Sequence, residues 1–316
     1  KLICQAELCD SREHRILWTE RIQGKVGDLF DEDCQLTQAL CQGLTHALVE
    51  KQVDMVAVQP MPSLRGYTIM LGGVTLMHRA SLVEFDRARM LLEHLCEQYK
   101  KRADPHAWLA KWHVLRFVRM QVSNREQEAA LAMAAVQRAL DINPSSSLAL
   151  AMKGHVECQL LGDLGAAQIS LDSALQVNAH NSIAWLYKSV ISTENEDHSS
   201  ALSECAKANS LSPLDPLSDL YNLIHASALL ASGDPEGAIV FAEKSLRQNG
   251  SLAPTMRVLL TAQVESNQIQ AGKKTLDRLL RQTPGLTVQR YLRSTEKASK
   301  SRLLCANALR VLGLRE

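Results

Sequence analysis

The chain has 316 residues, 46% hydrophobic and 22% charged, with a formal net charge of +1. That is ample apolar content for a core, and so balanced a charge gives no global field toward nucleic acid or an acidic membrane surface. Aromatics make up only 4% while Ala and Leu are plentiful, which favours helices over strands.

The first elements read as α/β. KLICQAELCD alternates apolar and polar residues, with Leu2, Cys4, Ala6 and Leu8 on one side, and RILWTERIQG comes after the polar break SREH. Two short runs around a polar turn predict a β-hairpin. DEDCQLTQALCQGLTHALVEKQ then reads as a helix, opened by acidic residues that suit a helix N-terminus. A lone hairpin and helix are marginal, so this element is expected to dock on the first repeat or on strands before residue 1. The Lys1 start, with no signal peptide, reads as a cut inside a longer protein.

From there the chain repeats. ALSECAKANSLSP sets Ala201, Cys205 and Ala208 on one helical face, with Pro213 as a stop. The same pattern returns at Ala132, Val136 and Ala139, at Ala167, Leu171 and Ala174, at Ala238, Ala242 and Ser245, and at Gly272, Leu276 and Leu279. Ala88, Leu92 and Leu95 form a more distant copy. Each copy predicts the second helix of a pair, its small residues letting a partner helix approach closely. SIAWLYKSVISTE is the clearest first helix, and Gly162-Asp163 and Gly233-Asp234 fall where turns are needed.

A two-helix unit recurring about every 34 residues resembles the tetratricopeptide repeat. The expected first-helix glycine appears only as Gly154, one residue out of register. The resemblance implies an all-α superhelical solenoid of tetratricopeptide-type helix pairs, preceded by the small hairpin-plus-helix α/β element, because such units bury their apolar faces only by stacking. The expected division is residues 1–62 for the α/β element, 63–285 for the repeat array and 286–316 for a C-terminal capping segment. The cap carries an apolar stripe at Leu303, Leu304, Ala308, Leu309 and Leu312, and its basic residues read as a solvated face.

The order of LCDSREHRILWTERIQGKVGDLFDEDCQLTQAL, SLRGYTIMLGGVTLMHR and the repeats, with PHAWLAKWHVLRF, LSPLDP and the ending ALRVLGLRE, resembles a wider class. That class is the TolB-like segment plus tetratricopeptide repeats of bacterial multidomain regulators, which carry a class III adenylate/guanylate cyclase domain or a winged-helix DNA-binding domain. It implies a cytoplasmic regulatory region whose output domain lies outside this chain, a cyclase rather than a winged-helix domain on the strength of ALRVLGLRE. Class III cyclases act as dimers, so the resemblance also admits a homodimer in which the array is a spacer.

Chemical motifs are missing from the sequence. GKKT at 272–275 lacks the leading glycine of a phosphate loop, and neither GxGxxG nor HExxH occurs. The eight cysteines show no CxxC spacing and read as reduced, mostly buried thiols. Trp108 and Trp112 share a helical face with His106 and His113 beside them; core packing is the expectation there, with a ligand cage or an uncharacterised enzyme site as the alternative. No catalytic residue, cofactor or metal is expected, and neither nucleic acid nor membrane is expected as a partner.

The expected site is the concave groove. What the family resemblance implies is contact from positions 2, 5, 9 and 12 of each unit. Counted back from the small residue of each second helix, these positions bring Met152 and Val156, then Ile183, Leu186 and Val190, then Leu220, Leu223 and Leu230, then Arg257. The set is largely apolar and lacks the basic residues that would clamp an acidic peptide. It predicts either a groove for a protein or peptide segment, the parent's own output domain included, or a tight superhelix in which these residues pack on each other and on the C-terminal segment.

Overall fold

The computed structural model of the chain describes residues 2–10, 15–24, 43–44, 47–51, 53–55, 66–79, 81–119, 124–212, 217–250, 252–292 and 299–316. Pro213 and residues 31–42, which carry the predicted helix stop and most of the predicted first helix, lie outside them.

Strands β1 (Leu2–Asp10) and β2 (Arg15–Gly24) form the expected antiparallel hairpin. Its register runs from Leu2 opposite Gly24 to Asp10 opposite Arg15, with one shift between Leu8 and Cys9. Trp18 and Glu20 of β2 lie against Gly43, where an added Cβ would come within 2.5 Å of each. Helical backbone at 47–51 and 53–55 then buries Val49 and Val53 among Met77, Phe85 and Trp112. Val49 and Val53 thus dock their segment on the first helices.

The rest is helical: α1 (Gly66–Leu76), α2 (Leu82–Gln98), α3 (Asp104–Val118), α4 (Arg125–Ile142), α5 (Ser147–Val156), α6 (Leu164–Val177) and α7 (Ser182–Glu194). It continues as α8 (His198–Leu211), α9 (Ser218–Ala231), α10 (Pro235–Gln248), α11 (Ala253–Glu265), α12 (Ile269–Gln282), α13 (Val288–Leu292) and α14 (Lys300–Val311). Consecutive helices pair, α1 with α2 through α11 with α12, and the first helices of successive pairs also touch. This is a superhelix of tetratricopeptide-type pairs.

The repeated sequence pattern has a repeated physical role. Ala132, Ala167, Ala201 and Ala238 are all fully buried, so each second helix seats closely on its partner. Asn124, Asp163, Asp197 and Asp234 each cap a second helix, the side chain accepting a backbone N–H three residues on. The turn between paired helices holds one residue in the left-handed region at Gly162 (φ 70), Glu196 (φ 63), Gly233 (φ 85) and Asn267 (φ 58). There the following N–H closes back on the first helix, as Asp163 to Glu157 at 3.0 Å and Asp234 to Leu229 at 2.9 Å.

One unit departs from this. Helix α5 runs into a π-helical turn, Glu157–Leu161, which inserts one residue. The equivalent interhelix bonds show it. Ser192 to Glu204 and Thr275 to Gln263 each span 12 residues, whereas Ser170 to Glu157 spans 13. Gly154 is out of sequence register for this reason. It still occupies the close-approach position, since a Cβ there would sit 2.7 Å from Leu171 Cγ and 3.0 Å from the Ala167 carbonyl.

Trp112 is core. Its ring stacks on Phe85 at 4.8 Å and its Nε1 donates to the Phe85 carbonyl at 2.8 Å. At the other end α14 buries Cys305, Ala308, Leu309 and Leu312 against Met256, Leu260, Leu276 and Leu279, covering the open face of the last pair. Among the described cysteines Cys205 and Cys305 are buried, Cys96 and Cys158 half-buried and Cys9 exposed, all as free thiols.

Candidate ligand cavity on the inner face

The first helices α3, α5, α7, α9 and α11 turn inward around a cavity of about 970 Å³, and the C-terminal segment forms its last wall. Two long-range contacts tie distant elements of the superhelix together. Asn249 Nδ2, at the end of α10, donates to the His78 carbonyl at 2.8 Å. Lys300 Nζ, at the start of α14, meets Glu196 at 2.6 Å.

Of the residues expected from the sequence, Val190, Leu220, Leu223, Leu230 and Arg257 line this cavity. Met152, Val156 and Leu186 do not; each is fully buried between helices. The π-turn explains Val156: counting back from α6 across an inserted residue shifts α5 by one, and it is His155 that faces the cavity in its place. The same shift carries Met152 to Ala151, which is also fully buried. Leu186 is held in a core cluster with Cys205 and Tyr221, and Tyr187 takes the inward position beside it. Ile183 is half-buried against the core of the preceding pairs.

The expectation of a largely apolar lining that lacks clamping basic residues needs a larger correction. Lys111, Arg119, Arg257, Arg290, Lys300 and Arg302 all line the cavity, against Glu194 and Glu196. Most of these cations come from α3 and the C-terminal segment, outside the groove positions counted along the middle repeats. Motif spacing carried no signal for them; only the closure of the superhelix brings them together.

On the floor, buried Lys111 places Nζ 5.5 Å from the ring centres of both Trp108 and Tyr187. His155 stacks on Tyr187 at 4.0 Å. Burial, and then the Lys111 charge, hold the His155 imidazole well below its ordinary value. Burial does the same to His78, aided by Lys111, Arg119 and His155. Burial lowers the Arg119 guanidinium to about 10, and it donates to the carbonyls of Met77 at 2.7 Å and Arg79 at 2.8 Å. The Cys158 thiol is pushed up to about 12 by burial and then by Glu194, so it stays protonated and weakly nucleophilic.

At the other end Arg257 and Arg302 lie 5.6 Å and 5.1 Å from the ring centre of Tyr291. Burial raises the Glu194 carboxyl against the opposing effects of a Ser299 hydrogen bond and the Arg302 charge. Among the described residues no group of three His, Cys, Asp or Glu side chains is placed to hold a metal, and no helix is long and apolar enough to cross a membrane. The arrangement is an apolar-walled cavity with cationic ends, suited to holding a ligand.

No family model matches the chain, and no curated protein matches it. Solved structures do. A chain of the APC/C hetero-tetramer Cut9-Hcn1 superposes on 89% of this chain at 15% identity with a TM-score of 0.55. Human IFIT1, crystallised as a dimer with m7Gppp-AAAA, superposes on 79% at 13% identity with a TM-score of 0.57. TTC0263, a tetratricopeptide-repeat protein of Thermus thermophilus, covers 63% at 16% identity with a TM-score of 0.47. The chain spans half of the Cut9-Hcn1 chain and 63% of the IFIT1 chain. At these identities the likeness is one of fold.

Proposed function

We propose that this chain is a non-catalytic binding module that takes a peptide segment of a partner protein into its inner cavity. The observation that carries the reading is the cavity itself. Its volume of about 970 Å³ lies at the upper end of the range for ligand sites, and Val190, Leu220, Leu223 and Leu230 give it an apolar wall. A short apolar segment would bury its side chains there, while the cations at the ends fix its direction. The inner face of the superhelix is apolar along α7 and α9, a property that marks contact surfaces.

The resemblance of the hairpin, helix and array to bacterial regulators supports a finer reading. The module belongs to a cytoplasmic signalling protein and passes the state of its cavity to an output domain outside this chain, a nucleotide cyclase rather than a winged-helix domain. The N-terminal hairpin, packed against Gly43, is the route by which such a domain would feel the superhelix open or close.

Leu230 is the residue for the test, because it lines the cavity and is only half-buried. Apolar peptides selected on the wild-type chain are titrated calorimetrically into the Leu230→Glu variant. Binding is expected to fall at least tenfold while circular dichroism stays the same. Equal affinity in the two proteins would place the peptides elsewhere and end the cavity reading.

A further inference from the structure

We propose that the floor of the cavity takes an uncharged amide group of its ligand, hydrogen-bonded between His78 and His155. The proposal rests on the reading that the cavity takes a ligand, and it names the polar group that reaches the floor.

Two elements hold these rings in place. His78 follows α1, in a turn whose carbonyls at Met77, His78 and Arg79 accept from Arg119 and Asn249. His155 comes from α5 and is stacked on Tyr187 at 4.0 Å. Both residues line the cavity. Among the described residues His78 Nε2 and His155 Nδ1 have no hydrogen-bond partner. His78 is only 6% exposed, and a buried polar atom without a partner is costly. Half a turn about χ2 exchanges the two edges of an imidazole, and in His155 it preserves the stack. Each ring therefore presents a nitrogen to the cavity with no movement of the backbone.

The charges of the floor select the chemistry. Burial first, and then the neighbouring cations, keep both imidazoles neutral at neutral pH. A neutral imidazole offers one N–H donor and one acceptor nitrogen. A ligand ammonium would be repelled by Lys111 and Arg119, whose charges already act on His78. A carboxylate finds those same cations engaged. Arg119 donates to two backbone carbonyls, while Lys111 lies over the Trp108 and Tyr187 rings and acts on buried Asp219. A carboxylate also only accepts, so it leaves an acceptor nitrogen unmet. An amide carries its acceptor oxygen and its N–H donors on separate atoms, so it serves the donor of one ring and the acceptor of the other together. It is also far cheaper to desolvate than a charge.

The test compares hexanamide, N,N-dimethylhexanamide, hexanoate and hexylamine by calorimetry on the full chain at neutral pH. Hexanamide is expected to bind at least about tenfold tighter than the other three, the worth of one hydrogen bond. His155→Phe keeps a ring on Tyr187 and removes the nitrogens, so it should abolish most of that preference, and His78→Phe should do the same. Should either variant fail to fold, the ranking on the wild-type chain decides the matter. Hexanamide matched by its dimethyl form, by hexanoate or by hexylamine, or a preference that survives in a folded variant, would overturn the amide anchor while the apolar cavity stands. If none of the four binds, both fall. An apolar heptapeptide with a central glutamine, set against its leucine form, identifies the source. A gain from glutamine assigns the amide to a side chain, and a hexanamide preference without that gain assigns it to the main chain; either supports the anchor.

Discussion

Asn249 and His78 are 171 residues apart in sequence, yet the Asn249 side chain donates to the His78 carbonyl at 2.8 Å. The same amide donates to Asp219 Oδ2 at 2.8 Å. One side chain thus ties the end of α10 to the turn after α1 and to the start of α9. The bond joins the first pair of helices to the fifth, and His78 itself lines the cavity.

Replacing Asn249 by alanine removes both bonds and leaves the His78 carbonyl and one oxygen of the buried Asp219 without this donor. A buried polar group that loses its partner costs about 1–3 kcal/mol. Urea unfolding of Asn249→Ala should show a loss of that size, with a lower midpoint and an unchanged slope. A variant as stable as wild type would mean that the closing contact is not maintained in solution.

Two glycines separate backbone from packing effects. Gly233 has φ 85 and open space where a Cβ would go, so Gly233→Ala should cost about 1–2 kcal/mol from the left-handed backbone alone. Gly154 is an ordinary helical residue whose Cβ would press on Leu171 and the Ala167 carbonyl. Gly154→Ala should therefore destabilise by about 1–3 kcal/mol through overpacking, despite the better helix propensity of alanine. Thermal melts of both variants check this. A stabilised Gly154→Ala would show that α5 and α6 do not approach as closely as the π-turn register requires.

The repeats were legible because their signal is local: a small residue, an apolar residue four on and another three on, then a turn. Ala201, Cys205 and Ala208 are fully buried as that pattern requires. Where α9 runs regularly, the counted positions Leu220, Leu223 and Leu230 line the cavity. The groove was misread in α5 because a π-turn changes the count without any motif of its own, though Gly154 standing one place early was its visible trace. Of the cationic lining only Arg257 fell at a groove position read from the sequence. Lys111 and Arg302 are far apart in the chain, and only superhelical closure sets them in one cavity.

Histidine burial sets the acid response. Both His78 and His155 are held well below the ordinary value of 6.5 by burial first. A folded pKa below the unfolded one means that the unfolded chain binds the proton first as pH falls. The associated stability is complete above about pH 6.5 and is lost progressively below it, at up to about 1.4 kcal/mol per pH unit for each imidazole. Glu194, Glu204 and Asp219, all raised by burial, act in the opposite sense at lower pH. Comparing wild type with His155→Phe between pH 6.5 and 5.5 isolates one imidazole. The variant should lose less stability across that interval, and parallel curves would show that His155 is solvated.

Leu186 and Leu230 were expected to play the same role and are placed oppositely. Leu186 is fully buried in the cluster that includes Cys205 and Tyr221, whereas half-buried Leu230 faces the cavity. Truncating a buried leucine loses its transfer energy and leaves a void, so Leu186→Ala should cost about 2–5 kcal/mol. Leu230→Ala deletes atoms already facing open space and should cost far less. Ligand affinity should reverse the order, with Leu230→Ala weakening peptide capture and Leu186→Ala leaving it unchanged wherever the chain remains folded. Parallel unfolding and binding measurements decide between the two placements. Equal stability losses would return Leu186 to the cavity wall, because a side chain that packs on nothing beyond the groove leaves no void when it is cut away.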